Sequence, residues 1–377
     1  MRRVPTVLAA AATSLLLAAT PAVAHGGGKP DPRPPAVTDL TGGLVGPLSL
    51  AAGWHGTTYV TQNFAGLLTA VDRDGEQSVL YGSANGAEVG GVSFDGLRTL
   101  TFTETESDET GITGSSVHTL RLDKKGAPSG APRLVLDTYA YEQKHNPDGK
   151  TTYGLRDTDP ACVAQVPAGG PISPLYTGIV DSHPYATASL LGTTFVADAG
   201  TNTLLSVSPF GKARTLAVLP AQPAVVTAEA AAGIGWPDCV VGETYWFEAV
   251  PTDVEVGPWG QLYVSTLPGG PEDASLGARG AVYTVDPWSG KVRKVASGFV
   301  SATGVAVSPT GTVYVAEMFG GRISQATSSG PRTVVETALP GALEWTSTGL
   351  LATTNVLPGE EGPPDGHLVR VGFPRGR

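Results

Sequence analysis

An all-β fold is what this sequence predicts, and three observations predict it. The first is composition: 50 glycines and 31 prolines stand among 377 residues, about a fifth of the chain where roughly 12% is usual. Both are poor in helix interiors, glycine for its entropy and proline for its missing N–H and its ring. The second is balance, with 41% hydrophobic and only 15% charged residues, a mixture that builds a large core rather than a disordered chain. The third is an internal repeat. Pro251–Gly270 (PTDVEVGPWGQLYVSTLPGG) aligns with Ala302–Gly321 (ATGVAVSPTGTVYVAEMFGG), and both align with Pro47–Gly66 and His183–Asn202. Each copy carries an alternating apolar run, a glycine turn and an aromatic–valine pair, and a second hairpin follows. Four such strands in succession make one blade of a β-propeller.

Taken in chain order, residues 1–24 read as an export leader. Arg2 and Arg3 precede an apolar run through Leu15, Leu16 and Leu17, and Ala22-Val23-Ala24 offers the small–x–small cleavage pattern. The run is short and broken by Pro5 and Pro21, so a membrane anchor fits less well. Residues 25–36 form a Gly/Pro-rich lead-in. The propeller is expected over 37–377 as a single domain of six four-stranded blades, with second strands centred on Tyr59, Thr101, Phe195, Tyr263, Tyr314 and Leu350. The last copy supplies only three strands, ending in His367–Val371, so Val37–Leu44 is expected to close the ring and cover the open edges. The long gap between Thr101 and Phe195 leaves five or seven blades as alternatives. A formal charge of −10 gives no electrostatic footprint for nucleic acid or anionic lipid. The expectation is an extracellular monomer with no integral membrane association.

Long insertions fall at Asn146–Asp181, Ala221–Val250, Leu267–Gly280 and Leu357–Gly366. In a propeller these connections share one face, which is where function is expected to lie. Cys162 and Cys239 sit in two neighbouring insertions. Exported chains favour a disulfide, and topology brings the two together, with free thiols or half a metal site as alternatives. Trp236, Tyr245, Trp246 and Phe247 cluster beside Cys239 and read as loop packing or a ligand-stacking patch.

One position repeated across the six copies gives Gln62, Glu104, Asp198, Thr266, Glu317 and Thr353, and first-strand starts place His183 and Asp253 nearby. These side chains are expected to ring the central channel. Glu104, Asp198 and Glu317 are the candidate ligands for Ca²⁺, Mg²⁺ or Zn²⁺, with strand capping or channel water as the alternative. Asp72-Arg73-Asp74-Gly75 reads as a hairpin turn, since no glutamate stands at the twelfth position of a calcium loop. No G-x-S-x-G elbow, H-E-x-x-H pair or P-loop occurs.

Several motifs together resemble the secreted ScyD/ScyE family, named for proteins encoded beside scytonemin biosynthesis genes. They are Asn146-Pro147-Asp148-Gly149, Asp181-Ser182-His183-Pro184-Tyr185, Val196-Ala197-Asp198-Ala199-Gly200, Val250–Val254, the stretch LPGGPEDASLGARG from Leu267, and Val315-Ala316-Glu317. The resemblance implies a six-bladed propeller related to NHL-repeat, strictosidine-synthase-like and gluconolactonase-like propellers. It implies no agreed activity. The expected function is therefore a secreted binding module for a small molecule or an extracellular protein. The alternative is a metal-dependent lactonase or esterase.

Overall fold

The computed structural model of the chain describes residues 35–169, 172–272, 275–357 and 363–373. The expected leader at 1–24 lies outside the described residues, as do residues 25–34 of the lead-in; Ala36, the last lead-in residue, opens a strand instead. Strands dominate, and among the described residues they assemble into seven four-stranded antiparallel sheets rather than the expected six.

Six of these sheets share one design. The first runs Leu50–Ala52, Thr58–Gln62, Leu67–Val71 and Gln77–Gly82 in sequential order, and the second spans Glu88–Phe94 to Arg133–Asp137 in the same way. The third (Pro184–Leu190 to Ala213–Val218), fourth (Pro251–Val256 to Val292–Phe299) and fifth (Ala302–Val307 to Gly330–Glu336) repeat it. The sixth takes Leu343–Thr346, Gly349–Thr354 and Gly366–Gly372 from the end of the chain and Ala36–Leu44 from its beginning. That N-terminal strand pairs antiparallel with Gly366–Gly372, from Ala36 opposite Gly372 to Leu44 opposite Gly366. The first strands touch in cyclic order, from the first sheet through the sixth and back to the first, which closes a ring.

Burial follows from this geometry. Second strands such as Leu262–Thr266 and Val313–Glu317 are buried at every position, because each sheet is sandwiched between two others. Fourth strands such as Gln77–Gly82 lie at the rim and are mostly open to solvent. Each interface between neighbouring sheets has its own core; Phe195, Leu204 and Leu216 of the third sheet meet Val254, Leu262 and Val285 of the fourth. At the centre, first strands approach so closely that a side chain at Gly91 would lie 2.4 Å from Ala186 Cα, and one at Gly304 would lie 2.4 Å from the Gly341 carbonyl. Hairpin turns use the chemistry their residues dictate. Asp72 accepts from the N–H groups of Asp74 and Glu76, both at 2.9 Å, and Gly75 takes φ +88°.

The seventh sheet was not foreseen. The two long connectors contribute two short strands each, in the order Leu175–Thr177, Thr152–Gly154, Thr244–Phe247 and Gln222–Val225. Gly154 opposite Trp246 joins the two connectors. Strands of three or four residues carry too little alternation to stand out from loop sequence.

Candidate functional site

The repeated second-strand position serves the ends of the sheets. Gln62 Oε1 accepts from Val45 N–H at 2.9 Å while its amide donates to Thr69 at 2.8 Å. Asp198 Oδ1 accepts from His183 N–H at 2.8 Å, and its Oδ2 accepts from the Ser182 hydroxyl at 2.7 Å. Glu317 Oε2 accepts from Val300 N–H at 2.7 Å, and the carboxylate is gripped by Arg322 at 2.8 and 3.0 Å. Thr353 accepts from Ala342 N–H at 2.8 Å, and Thr266 receives the Gln222 amide at 2.6 Å. In each case a strand-end side chain holds the segment leading into a strand, which stops the strand from fraying.

Glu104 stands apart from this set. It faces the first sheet, where Tyr81 donates to its Oε1 at 2.8 Å, and its Oε2 lies 3.1 Å from His118 Nε2. Ser116 is 2.8 Å from that same nitrogen. One nitrogen cannot both donate to the glutamate and accept from the serine, so the trio is not a nucleophile–base–acid relay. Burial holds the His118 pKa below its usual value against the opposing pull of Glu104. Among the described residues no three His, Cys, Asp or Glu side chains form a group that could hold a metal, so Glu104, Asp198 and Glu317 do not converge.

His183 and Asp198 do meet, and they bring in a residue the sequence reading missed. His183 Nε2 lies 3.0 Å from Glu88 Oε2. Glu88 Oε1 accepts from the Asn63 amide at 2.8 Å. The group therefore spans the first three sheets, with Asn63 from the first, Glu88 opening the second and His183 leading into the third. Burial disfavours the imidazolium, but the bond and charge of Glu88 outweigh it and raise the His183 pKa. Burial likewise pushes Glu88 up, and His183 and Asn63 reverse this to hold it below the usual range. Asp198, fully buried, is pushed up to about 6. The His183 side chain keeps 28% exposure, so it is reachable from solvent. The signal for Glu88 was its place at the start of a first strand, the repeat position that His183 holds in the next sheet.

Carboxylates do occur along the first strands: the expected Asp253, together with Glu255 and Glu344, which were not expected. Asp253 accepts from Val254 N–H and, across the sheet boundary, from Val305 N–H, both at 2.8 Å. Burial pushes it up to about 7. Glu255 is raised well above the usual range by burial and then by Glu344, and burial with Asp253 pushes Glu344 up to about 8. Leu48, Met318 and Val356 form an apolar cluster with Tyr185, Leu339 and Leu357, all from segments at the strand ends on the insertion-rich side. Burial and the surrounding carboxylates Glu88, Glu272 and Asp253 push the Tyr185 phenol up. A glutamate inside a first strand, as in PTDVEV or LEWT, was the available sign.

The connectors build a second concavity. The disulfide Cys162–Cys239 is formed, with Cα atoms 5.9 Å apart. It lies in a small core with Leu155, Val240, Trp236 and Phe247. Beside it is a cavity of about 320 Å³ lined by Ile172, Val226, Ile234, Trp236, Tyr245 and Phe247. The Trp236 indole N–H is buried there without a partner. The aromatic cluster thus packs the connectors and walls a cavity, except for Trp246, which turns outward under Arg156.

No family model matches the sequence, and no curated protein matches it. Solved structures do. One is the PQQ-bound aldose sugar dehydrogenase of Streptomyces coelicolor, at 14% identity over 90% of this chain and 99% of that chain, with a TM-score of 0.55. Another is the soluble aldose sugar dehydrogenase of Escherichia coli in its apo form, at 12% identity over 90% and 100%, with a TM-score of 0.54. A glucose dehydrogenase matches at 15% identity over 90% and 100%, with a TM-score of 0.53. The likeness shows a β-propeller fold. It also overturns the expectation of a non-enzymatic binding module, with a metal-dependent lactonase or esterase as alternative: these solved propellers are sugar dehydrogenases. No helix among the described residues is long and apolar enough to cross a membrane.

Proposed function

We propose that this chain is a secreted six-bladed propeller enzyme of the ScyD/ScyE group that moves a proton on a neutral, hydroxylated small molecule. The six sequential sheets are its blades, and the seventh sheet is an elaboration of one face. The observation that carries the reading is the pair His183–Glu88, 3.0 Å apart and open to solvent on one side. Glu88 engages Nε2 and favours the charged imidazole, so the ring can act as a general acid through its remaining N–H, at Nδ1. Asp198 and Ser182 fix the backbone on which the ring is mounted. Asp181 and Asp198 further favour the imidazolium. The same carboxylates repel anions, which selects a neutral substrate such as an aldose. The cavity beside the disulfide serves less well, because its walls are mainly apolar and its one carboxylate, Glu229, is exposed and has no imidazole beside it in the lining.

PQQ, named for the Streptomyces coelicolor protein, does not fit these residues. It is a tricarboxylate, and this face offers Glu88, Asp181, Asp198 and Asp253 where such an anion needs cations. Arg322 is closed on Glu317, and Arg279 is spread over the carbonyls of Gly269 and Pro271.

The test is proton NMR of the purified chain with a panel of aldoses in D₂O. Anomeric interconversion or carbon-bound exchange above the buffer rate is expected, falling roughly 100-fold or more in His183→Asn. No turnover of any aldose, or sugar-dependent dye reduction that appears only on adding PQQ, would sink the reading.

A further inference from the structure

Among the described residues, every buried side-chain acceptor without a hydrogen-bond partner belongs to one seven-residue stretch: Glu142 Oε1 and Oε2, Asn146 Oδ1 and Asp148 Oδ1. Glu142 is fully buried and Asp148 is 1% exposed. Buried acceptors are normally satisfied, so a cluster of orphans asks for a missing partner.

Local structure explains why these oxygens share a neighbourhood. Glu142 lies on the helix Thr138–His145, and Asn146 caps that helix in the left-handed region, its N–H donating to the Glu142 carbonyl at 2.8 Å. Asn146 thus stands one helical turn beyond Glu142, and among charges Asp148 acts most strongly on the Glu142 carboxylate. Pro147 then ends the helix and Asp148 follows. The other polar atoms of both neighbours are pinned elsewhere. The Asn146 amide donates to the Gly178 carbonyl at 3.2 Å, which leaves its oxygen turned away. Asp148 Oδ2 takes the Tyr153 hydroxyl at 2.9 Å and the Asn202 amide at 3.0 Å, which leaves Oδ1. Gly178 backs that oxygen so closely that any side chain there would collide, at 2.1 Å. The charges around Glu142 are all of its own sign, from Asp148, Asp198 and Asp181.

Two carboxylates and an amide oxygen, with no nitrogen or sulfur donor, suit a hard cation. Ca²⁺ accepts six to eight oxygens at about 2.3–2.6 Å in adaptable geometry and takes carboxylates on both oxygens, whereas Mg²⁺ demands a near-ideal octahedron and keeps its waters. We infer that Glu142, Asn146 and Asp148 form a Ca²⁺ site, with Glu142 the ligand that has no other role. The ion would join the helix to the connector through Gly178 and to the third sheet through Asn202. None of its three ligands belongs to the His183–Glu88 pair, although Asp198 and Asp181 act on both Glu142 and His183.

The experiment uses the full chain stripped with EDTA, then CaCl₂ or MgCl₂ alone, read by calorimetric titration and thermal unfolding. One Ca²⁺ per chain, a higher Tm with Ca²⁺ and much weaker binding of Mg²⁺ are expected. Glu142→Gln removes no protein hydrogen bond, so it should keep native circular dichroism while weakening Ca²⁺ binding at least tenfold. Exposed Glu229→Gln should bind as the parent does. His183→Asn should also keep the ion, which separates this inference from the proton-transfer reading. No Ca²⁺-dependent heat or Tm change in the parent, or undiminished binding in Glu142→Gln, overturns the site.

Discussion

At the scale of single residues, the strand-end carboxylates show how one repeated position acquires a common task. Glu317 holds Val300 N–H, Arg322 and the Ser324 hydroxyl, all from complete burial. Replacing it with Gln would leave Arg322 without its partner and should cost roughly 3 kcal/mol in urea unfolding. A loss below about 0.5 kcal/mol would show that the latch is dispensable. The position was readable from the repeat, yet the direction of its side chain was not. In the second to fifth sheets the register shifts near the start of the first strand, as between Pro184 and Ala186 or Ala302 and Gly304. Such a bulge re-aims neighbouring side chains and leaves no trace in apolar spacing. The pair His183–Glu88 makes a second prediction. Glu88→Gln removes the charge that raises the His183 pKa, so burial should then prevail and the imidazole should titrate lower by NMR. A His183 pKa that does not fall in Glu88→Gln would remove the basis for treating it as the acid.

At the scale of elements, the connectors behave as a small unit built on the propeller. They have their own sheet, their own core and a disulfide that spans 77 residues of sequence. Closing a loop of that length restricts the unfolded chain by roughly 4 kcal/mol in the entropy model. Because the bond joins the two connectors and not the blades, Cys162→Ser with Cys239→Ser should act locally. Hydrogen exchange should speed up across 152–177 and 222–247, and the strands of the six sequential sheets should keep their protection. Uniform loss of protection would mean that the connectors are integral to the ring. Both cysteines could be paired from the sequence because the repeat placed them in adjacent insertions. The sheet around them could not, since Gly154 opposite Trp246 joins segments with no alternating run to mark them.

At the scale of the molecule, the carboxylates on the first strands set how stability depends on pH. Glu344, pushed up to about 8, and Asp253, pushed up to about 7, hold protons in the folded chain that an unfolded chain releases near pH 4. The folded state then binds more protons than the unfolded one, so stability falls as pH rises from about 5 through 8. Tm should decline over that interval, and Glu344→Gln should flatten the decline and raise Tm at pH 8. A Tm that climbs from pH 5 to 8 in the parent would contradict this.

The strand that closes the ring has a kinetic consequence. Asp39 meets His367 at 2.9 Å across 328 residues of sequence, so the first described strand is paired by the last described one. Contacts between such distant segments are slow to form, because the intervening chain must be ordered before they are rewarded. Until Gly366–Gly372 arrives, Ala36–Leu44 has no strand partner and the sixth sheet has an open edge. The chain should therefore pass through a late, ring-open species, in which the order of synthesis and the order of assembly run in opposite directions.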